Sequence, residues 1–284
     1  MTDPPDGLLL VDKPGGITSH DAVNGVRRAL NTKKIGHAGT LDPMATGLLI
    51  MGVRRGTRLL RFFRDLAKTY EGTLLLGVET DTLDADGAVI REAPVVGITE
   101  GRIRAAMLAA TGDSLQRPPA YSAVKVGGRK LYEAARSGEY LEAKPRPIHV
   151  DRFEAVRCDG AEVEFVVTCS SGTYVRVLAA GVGEALGTGA HLSRLRRRSI
   201  GPFDVHEARP PNAPSDLLPL ERAVAHLPRL DLDSEEAIAV SHGRILGPAG
   251  IAGPYAVFSA DGRVLGIYRD DGPKARPEVI LAPA

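Results

Sequence analysis

Extended apolar runs and helical periods follow one another along this chain without a steady strand–helix–strand rhythm, and that order points to an α+β domain with a mixed, mainly antiparallel sheet. Leu8 to Val11 reads as a short buried strand stopped by Lys13-Pro14-Gly15-Gly16. A helix then starts at Thr18 or Ser19, with Ala22, Val23, Val26 and Leu30 at helical spacing. Leu48 to Val53 is a second buried strand. Thr57 is placed to cap a helix that turns Leu59, Leu60 and Phe63 inward and its arginines outward. Tyr70 to Val78 is extended, and Thr99 to Ala110 is a helix. Two hairpins follow, one around Gly127-Gly128 and a longer one pairing Ile148–Arg157 with Ala161–Cys169, and Gly172 leads into a helix through Leu186.

The proline-rich stretch from Arg209 to Pro219 reads as a linker into a short helix ending near Leu227. Beyond Arg229, short strand-like runs separated by Gly, Pro and Asp predict a small, mildly acidic all-β domain. The expected boundaries are therefore 1–228 and 229–284, a large and a small domain, as a length of 284 residues suggests. No apolar stretch is long enough for a membrane helix and no leader precedes the first strand, so the expectation is a cytoplasmic protein with no membrane partner. Cys158 and Cys169 have neither a CxxC spacing nor a histidine partner, which predicts reduced thiols and no metal.

Net charge is only +1, yet its distribution is uneven. Arg54, Arg55, Arg58, Arg61, Arg64 and Lys68 are opposed only by Asp65, and Arg194, Arg196, Arg197 and Arg198 by no acid among them. Both runs suit phosphates. On charge alone, two solvated faces are the plainer reading.

Asp84-Ala85-Asp86-Gly87 is a turn, since the calcium-loop position that needs a bidentate Glu falls on Ala93. The segment from Gly36 to Gly47 differs in kind. Its three glycines let another molecule approach the backbone closely, and Pro43 restricts Asp42 to an extended conformation, so this carboxylate is held in place.

Gly36-His37-Ala38-Gly39-Thr40-Leu41-Asp42-Pro43-Met44-Ala45-Thr46-Gly47 resembles the catalytic motif of the TruB family of pseudouridine synthases, and Gly7 to Val23 is similar to the family's opening motif. Lys68-Thr69-Tyr70, Thr80-Asp81 with Asp84, Arg117 to Lys125, Cys169 to Arg176, and Gly189 to Arg197 follow in the family's order. The resemblance implies a pseudouridine-synthase catalytic domain followed by a short PUA-like domain. It also implies a cofactor-free isomerisation of uridine at position 55 in the T loop of tRNA.

It further implies Asp42 as the catalytic carboxylate and Arg176 as the cation that keeps it ionised and aimed. Tyr70 becomes the aromatic face for a flipped base, also a candidate to take the C5 proton. Tyr174 and Leu195 are implied to line the nucleotide pocket, and His37 to occupy space vacated by flipped nucleotides. Arg58, Lys68, Lys125, Arg129 and Lys130 fall where the family meets RNA backbone. Residues 116–146 resemble an insertion that closes over the T stem-loop, and the expected protein is a monomer with no obligate protein partner. Attack at C1′, attack on the base and elimination at the sugar stay open, as do two other readings: a tRNA-folding factor using the same surface, and a guide-dependent relative. Arg198 stands where family members usually carry a small or apolar residue.

Overall fold

A computed structural model describes residues 4–139, 141–214 and 216–281. In chain order the larger part contains β1 (Gly7–Lys13), α1 (Ser19–Ala29), β2 (Ile35–Ala38), β3 (Thr46–Val53), a 3₁₀ helix over Arg54–Phe63, β4 (Lys68–Leu76), the β5–β6 hairpin (Val78–Thr80 and Val89–Glu92), α2 (Glu100–Ala109) and β7 (Gly112–Gln116). The hairpin β8–β9 (Lys125–Val126 and Arg129–Lys130), α3 (Leu131–Arg136), β10 (Arg146–Asp159), β11 (Glu162–Cys169), α4 (Val175–Leu186), β12 (Ala190–Ile200) and β13 (Phe203–Asp204) follow.

The main sheet runs β1-β3-β12-β4-β11-β10-β7, with β2 beside β3 and β13 beside β12. It is antiparallel except where β12 meets β3 in parallel at Arg196↔Thr46 and Arg197↔Gly47, giving the mixed, mainly antiparallel sheet the element order predicts. The backbones approach so closely there that a Cβ on Gly47, at φ +102°, would stand 2.3 Å from the Arg197 carbonyl oxygen. Only glycine fits.

β1 and β3 are buried on both faces, which is why they read as unbroken apolar runs. Leu9, Val11, Leu49 and Met51 pack on Val23 and Val26 of α1, whose N-cap Thr18 forms a capping box with Asp21. Leu8, Leu10, Leu48 and Ile50 face a second cluster that includes Phe63, Phe203, Phe258 and Ile267. A third cluster lies under β4, β10 and β11 against α2 and α4, with Phe153 and Phe165 edge to face at 5.2 Å.

Three expectations need correction. The helix after β3 begins at Arg54, and Thr57 does not cap it; its hydroxyl donates to the Arg54 carbonyl at 2.7 Å. The stretch read as a linker is no free one at its two ends, because Arg209 and Leu218 exchange backbone hydrogen bonds with β1 and so cover that sheet edge. The arginine run from Arg194 to Arg198 is no uniform solvated face but a central strand, with Arg197 turned inward and 1% exposed.

The smaller part follows α5 (Leu220–Ala223) and contains β14 (Arg229–Asp231), α6 (Ser234–Ser241), β15 (Pro254–Phe258), β16 (Val264–Asp271) and β17 (Lys274–Ile280). Its sheet order is β14-β15-β16-β17, with β14 and β15 parallel. β17 docks on the basic 3₁₀ helix: Arg55 donates to the Leu281 carbonyl, Arg58 to the Ile280 carbonyl at 2.9 Å, and Arg61 to the Glu278 carbonyl and carboxylate at 3.0 and 2.8 Å.

Candidate active site

Between β2 and β3 lie residues 39–45, and every carbonyl from Gly39 to Pro43 accepts a hydrogen bond from a fixed donor. Arg197 serves Gly39 at 3.1 Å and Thr40 at 3.5 Å. The Ser19 hydroxyl donates to the Leu41 carbonyl and accepts from the Leu41 amide. Ala45 N–H serves Asp42. Gly16 N–H and the ammonium of Lys13 serve Pro43. Lys13 has no exposed surface and also donates to the Pro14 and Ile17 carbonyls, so it fastens the end of β1 to the loop that carries Asp42. A segment with its polar groups satisfied in this way holds one shape.

The Asp42 carboxylate faces Arg176, in the first turn of α4, with Oδ1 accepting from Nη2 at 3.0 Å. Arg176 is 5% exposed, while about a third of the Asp42 side chain remains reachable, at 37%. Nη2 also donates to the Tyr121 carbonyl at 3.1 Å, and Nη1 to Thr82 O and Asp84 Oδ2, each at 3.3 Å. Asp84 is itself buried, and its other oxygen accepts from Thr82 Oγ1 at 2.6 Å. Burial pushes the Asp42 carboxyl above the ordinary 3.8, the Arg176 cation pulls it down, and the negative charges of Asp84 and Asp86 push it up again. The outcome is a raised carboxyl paired with Arg176 and left with one open edge.

Gly47, Arg197, Tyr70 and Val167 lie in one register row across β3, β12, β4 and β11. Arg197 Nε donates to the Leu48 carbonyl at 2.7 Å, and its positive charge acts on the Tyr70 phenol. Burial raises the Tyr70 phenol, and Arg197 offsets part of that rise. Leu195 and Tyr70 share a cluster with Leu41 and Ala45, and the Tyr174 ring centre lies 5.9 Å from the Arg176 guanidinium. Gln116 grips both the amide and the carbonyl of Tyr174, tying the root of the insertion to the start of α4.

Asp42, Tyr70, Arg176, Tyr174 and Leu195 thus meet around one loop. His37 is half-buried on β2 with Nδ1 unpartnered among the described residues, and burial lowers its pKa, so the ring stays neutral near pH 7. The five residues expected on RNA backbone do not gather. Lys125, Arg129 and Lys130 sit on the β8–β9 hairpin, where Arg129 pairs with Glu139 and Lys130 with Glu133. Arg58 is occupied by β17. Lys68 is buried, its ammonium donating to the Arg64 and Leu66 carbonyls, and desolvation lowers its pKa to about 8. Sequence reasoning missed Lys13, Ser19 and Arg197 as supports of this loop, placing Ser19 at a helix start and Arg197 in a basic run suited to phosphates. Lys13 closing a buried strand before Pro-Gly-Gly was the one available signal.

Residues 27–175 match the family model of the TruB family pseudouridylate synthase N-terminal domain, and residues 227–282 that of the tRNA pseudouridine synthase II C-terminal domain. The chain belongs to the TruB family. A TruB-family relative from Mycobacterium sp. (strain KMS), named tRNA pseudouridine synthase B, is 46% identical over 98% of this chain and 97% of its own length. Another so named, from Nocardia farcinica, is 44% identical over 99% and 95%. Among solved structures, a Cbf5–Nop10–Gar1 complex is similar with a TM-score of 0.75 at 27% identity, over 97% of this chain and 85% of that one. An H/ACA RNP bound to a substrate RNA containing 2′-deoxyuridine gives 0.74 at 25%, over 98% and 85%.

Proposed function

We propose that this TruB-family chain isomerises uridine 55 in the T loop of tRNA to pseudouridine, with Asp42 as its catalytic carboxylate. The observation that carries the reading is the buried Arg176 fork bonded to a carboxylate that keeps an open edge. Breaking the N1–C1′ bond leaves positive charge on the sugar, and a carboxylate at C1′ stabilises it as a nucleophile or as a counter-charge. The uracil turns, C5 bonds to C1′, the C5 proton leaves and N1 gains one, so the reaction is balanced without a cofactor. Asp42 must be ionised for this, and Arg176 opposes the pull of burial towards the neutral acid.

Tyr70 supplies the face on which the flipped base stacks and a phenol for the proton at C5. Tyr174 and Leu195 line the pocket, and His37 fills the space the loop nucleotides leave. Lys125, Arg129 and Lys130 on the insertion, with Arg58 and Lys68, are the residues proposed to meet backbone phosphates. The chain works as a monomer in the cytoplasm on the T stem-loop, with residues 1–228 catalytic and 229–284 a second module. Relatives 42–46% identical that bear the name tRNA pseudouridine synthase B support the isomerase reading. The test is a T stem-loop RNA mapped for pseudouridine by carbodiimide adduct and primer extension, beside Asp42→Asn. Conversion at the single position by the native chain and none by the variant is the expected result; binding without conversion by both would overturn the reading.

A further inference from the structure

Arg176 is gripped from two sides, and the two sides are tied to each other. One is the turn after β5, where Thr82 O and Asp84 Oδ2 accept from Nη1. The other is the root of the insertion, where Tyr121 O accepts from Nη2, the same nitrogen that serves Asp42. The Tyr121 hydroxyl then reaches across to the turn and donates to Asp81 Oδ2 at 3.2 Å, one residue before Thr82. Asp81 is fixed in its own right, since its other oxygen accepts from the Ala88 amide at 2.9 Å and its amide donates to the Ala88 carbonyl. On the insertion side, the next residue, Ser122, is buried, and its carbonyl accepts from Tyr132 N–H of α3. Arg176, Tyr121, Asp81 and Thr82 thus close a ring around the guanidinium.

From this ring we infer that Tyr121 is a positioning residue for the reaction: its hydroxyl fastens the insertion to Asp81, which keeps the Tyr121 carbonyl against Arg176 and Arg176 aimed at Asp42. The inference rests on the function proposed above. A guanidinium places its donors in a rigid fork, so losing the acceptor on one side loosens the aim of the other donors. If the insertion lifts, Nη2 loses the carbonyl that fixes its plane, and the cation that opposes protonation of Asp42 is less firmly placed. RNA pressing on the insertion therefore reaches the catalytic carboxylate through one peptide carbonyl. The Tyr121–Asp81 bond lies near the surface, so its removal is felt as a modest change in rate and leaves the fold intact.

The experiment compares native chain, Tyr121→Phe, Asp81→Ala and the double variant on T stem-loop RNA, with trypsin cleavage after Lys125, Arg129 and Lys130 as a readout independent of activity. Each single variant is expected to lower the single-turnover rate about fivefold, the size of one partly exposed hydrogen bond, with RNA affinity unchanged. The double variant falls no further, because both changes cut the same tie. The acid limb of the rate profile moves to higher pH, as a less well held Arg176 allows Asp42 to protonate earlier, and trypsin cuts the insertion faster. Native rates in Tyr121→Phe, a loss confined to RNA binding, a double variant equal to the product of the singles, or unchanged trypsin protection would each overturn the inference. If the native chain itself converts no RNA, the proposed function fails, and trypsin still decides whether Tyr121 holds the insertion.

Discussion

Arginines do two different jobs in this molecule, and burial separates them. Arg176 and Arg197 are inside, 5% and 1% exposed, and between them hold the Asp42 carboxylate and the Gly39 and Thr40 carbonyls of the loop that carries it. Arg58 and Arg61 lie on the exposed side of the 3₁₀ helix and spend their donors on β17, across the boundary between the two sheets. A buried ion pair that loses its arginine leaves a carboxylate with nothing to oppose it. A surface arginine that leaves a carbonyl behind leaves it to water. The same side chain is therefore decisive in the first place and nearly dispensable in the second.

The largest effect is expected at Asp42. Asp42→Asn should lower the rate on the order of 10⁴-fold or more, as removal of a central catalytic group does, and it should also stabilise the fold. The folded-state pKa of Asp42 is raised above 3.8, so the folded chain holds this proton more tightly than the unfolded chain does. That contribution to stability is full below pH 3.8 and is lost as pH rises through the raised value. The neutral Asn avoids the loss. Melting temperatures should therefore show the variant above the native chain at pH 7, with the gap closing towards pH 4. A variant that melts lower at neutral pH would mean that Arg176 gains more from the charge than burial takes. Arg176→Lys comes next, with a fall of about 10²-fold, since an ammonium cannot serve Asp42, Asp84 and two carbonyls from one plane.

Arg197→Met separates support from chemistry. It removes the partner of the Gly39, Thr40 and Leu48 carbonyls inside the sheet. Unmet buried acceptors cost about 1 to 3 kcal/mol each, less whatever the loop recovers by relaxing, so a loss of about 3 kcal/mol in urea unfolding is expected. If Arg197 were a solvated phosphate contact, unfolding would be unchanged and RNA binding would weaken.

Local chemistry made much of this legible in the sequence. The capping residue Thr18, the Gly127-Gly128 turn and the paired runs around Asp159-Gly160 each dictate their own conformation, and the structure has a capped helix or a hairpin at each. Arg197 was not legible because its neighbours are charged and its partners are carbonyls about 150 residues away, which no periodicity reports. Lys68 was misleading for the same reason: a lysine in a basic run looks solvated until the strand that carries it turns inward. The Thr57 cap failed because the chain continued from β3 directly into the 3₁₀ helix at Arg54, three residues early.

The smallest effect belongs to Arg58, where two readings of one residue give different salt dependence. As a phosphate contact it releases a counterion on binding, so Arg58→Ala should flatten the slope of log affinity against log salt by about 0.9. As a brace it donates to the Ile280 carbonyl, and its loss should leave that slope alone while loosening β17, at a cost of under about 1 kcal/mol. Pairing Arg58→Ala with Arg61→Ala sharpens the contrast, because Arg61 is held by both the carbonyl and the carboxylate of Glu278. Faster amide exchange along Lys274–Ile280 with an unchanged salt slope assigns the helix to holding the smaller sheet. A flattened slope with unchanged exchange assigns it to RNA, and Arg58 then leaves Ile280 when RNA arrives.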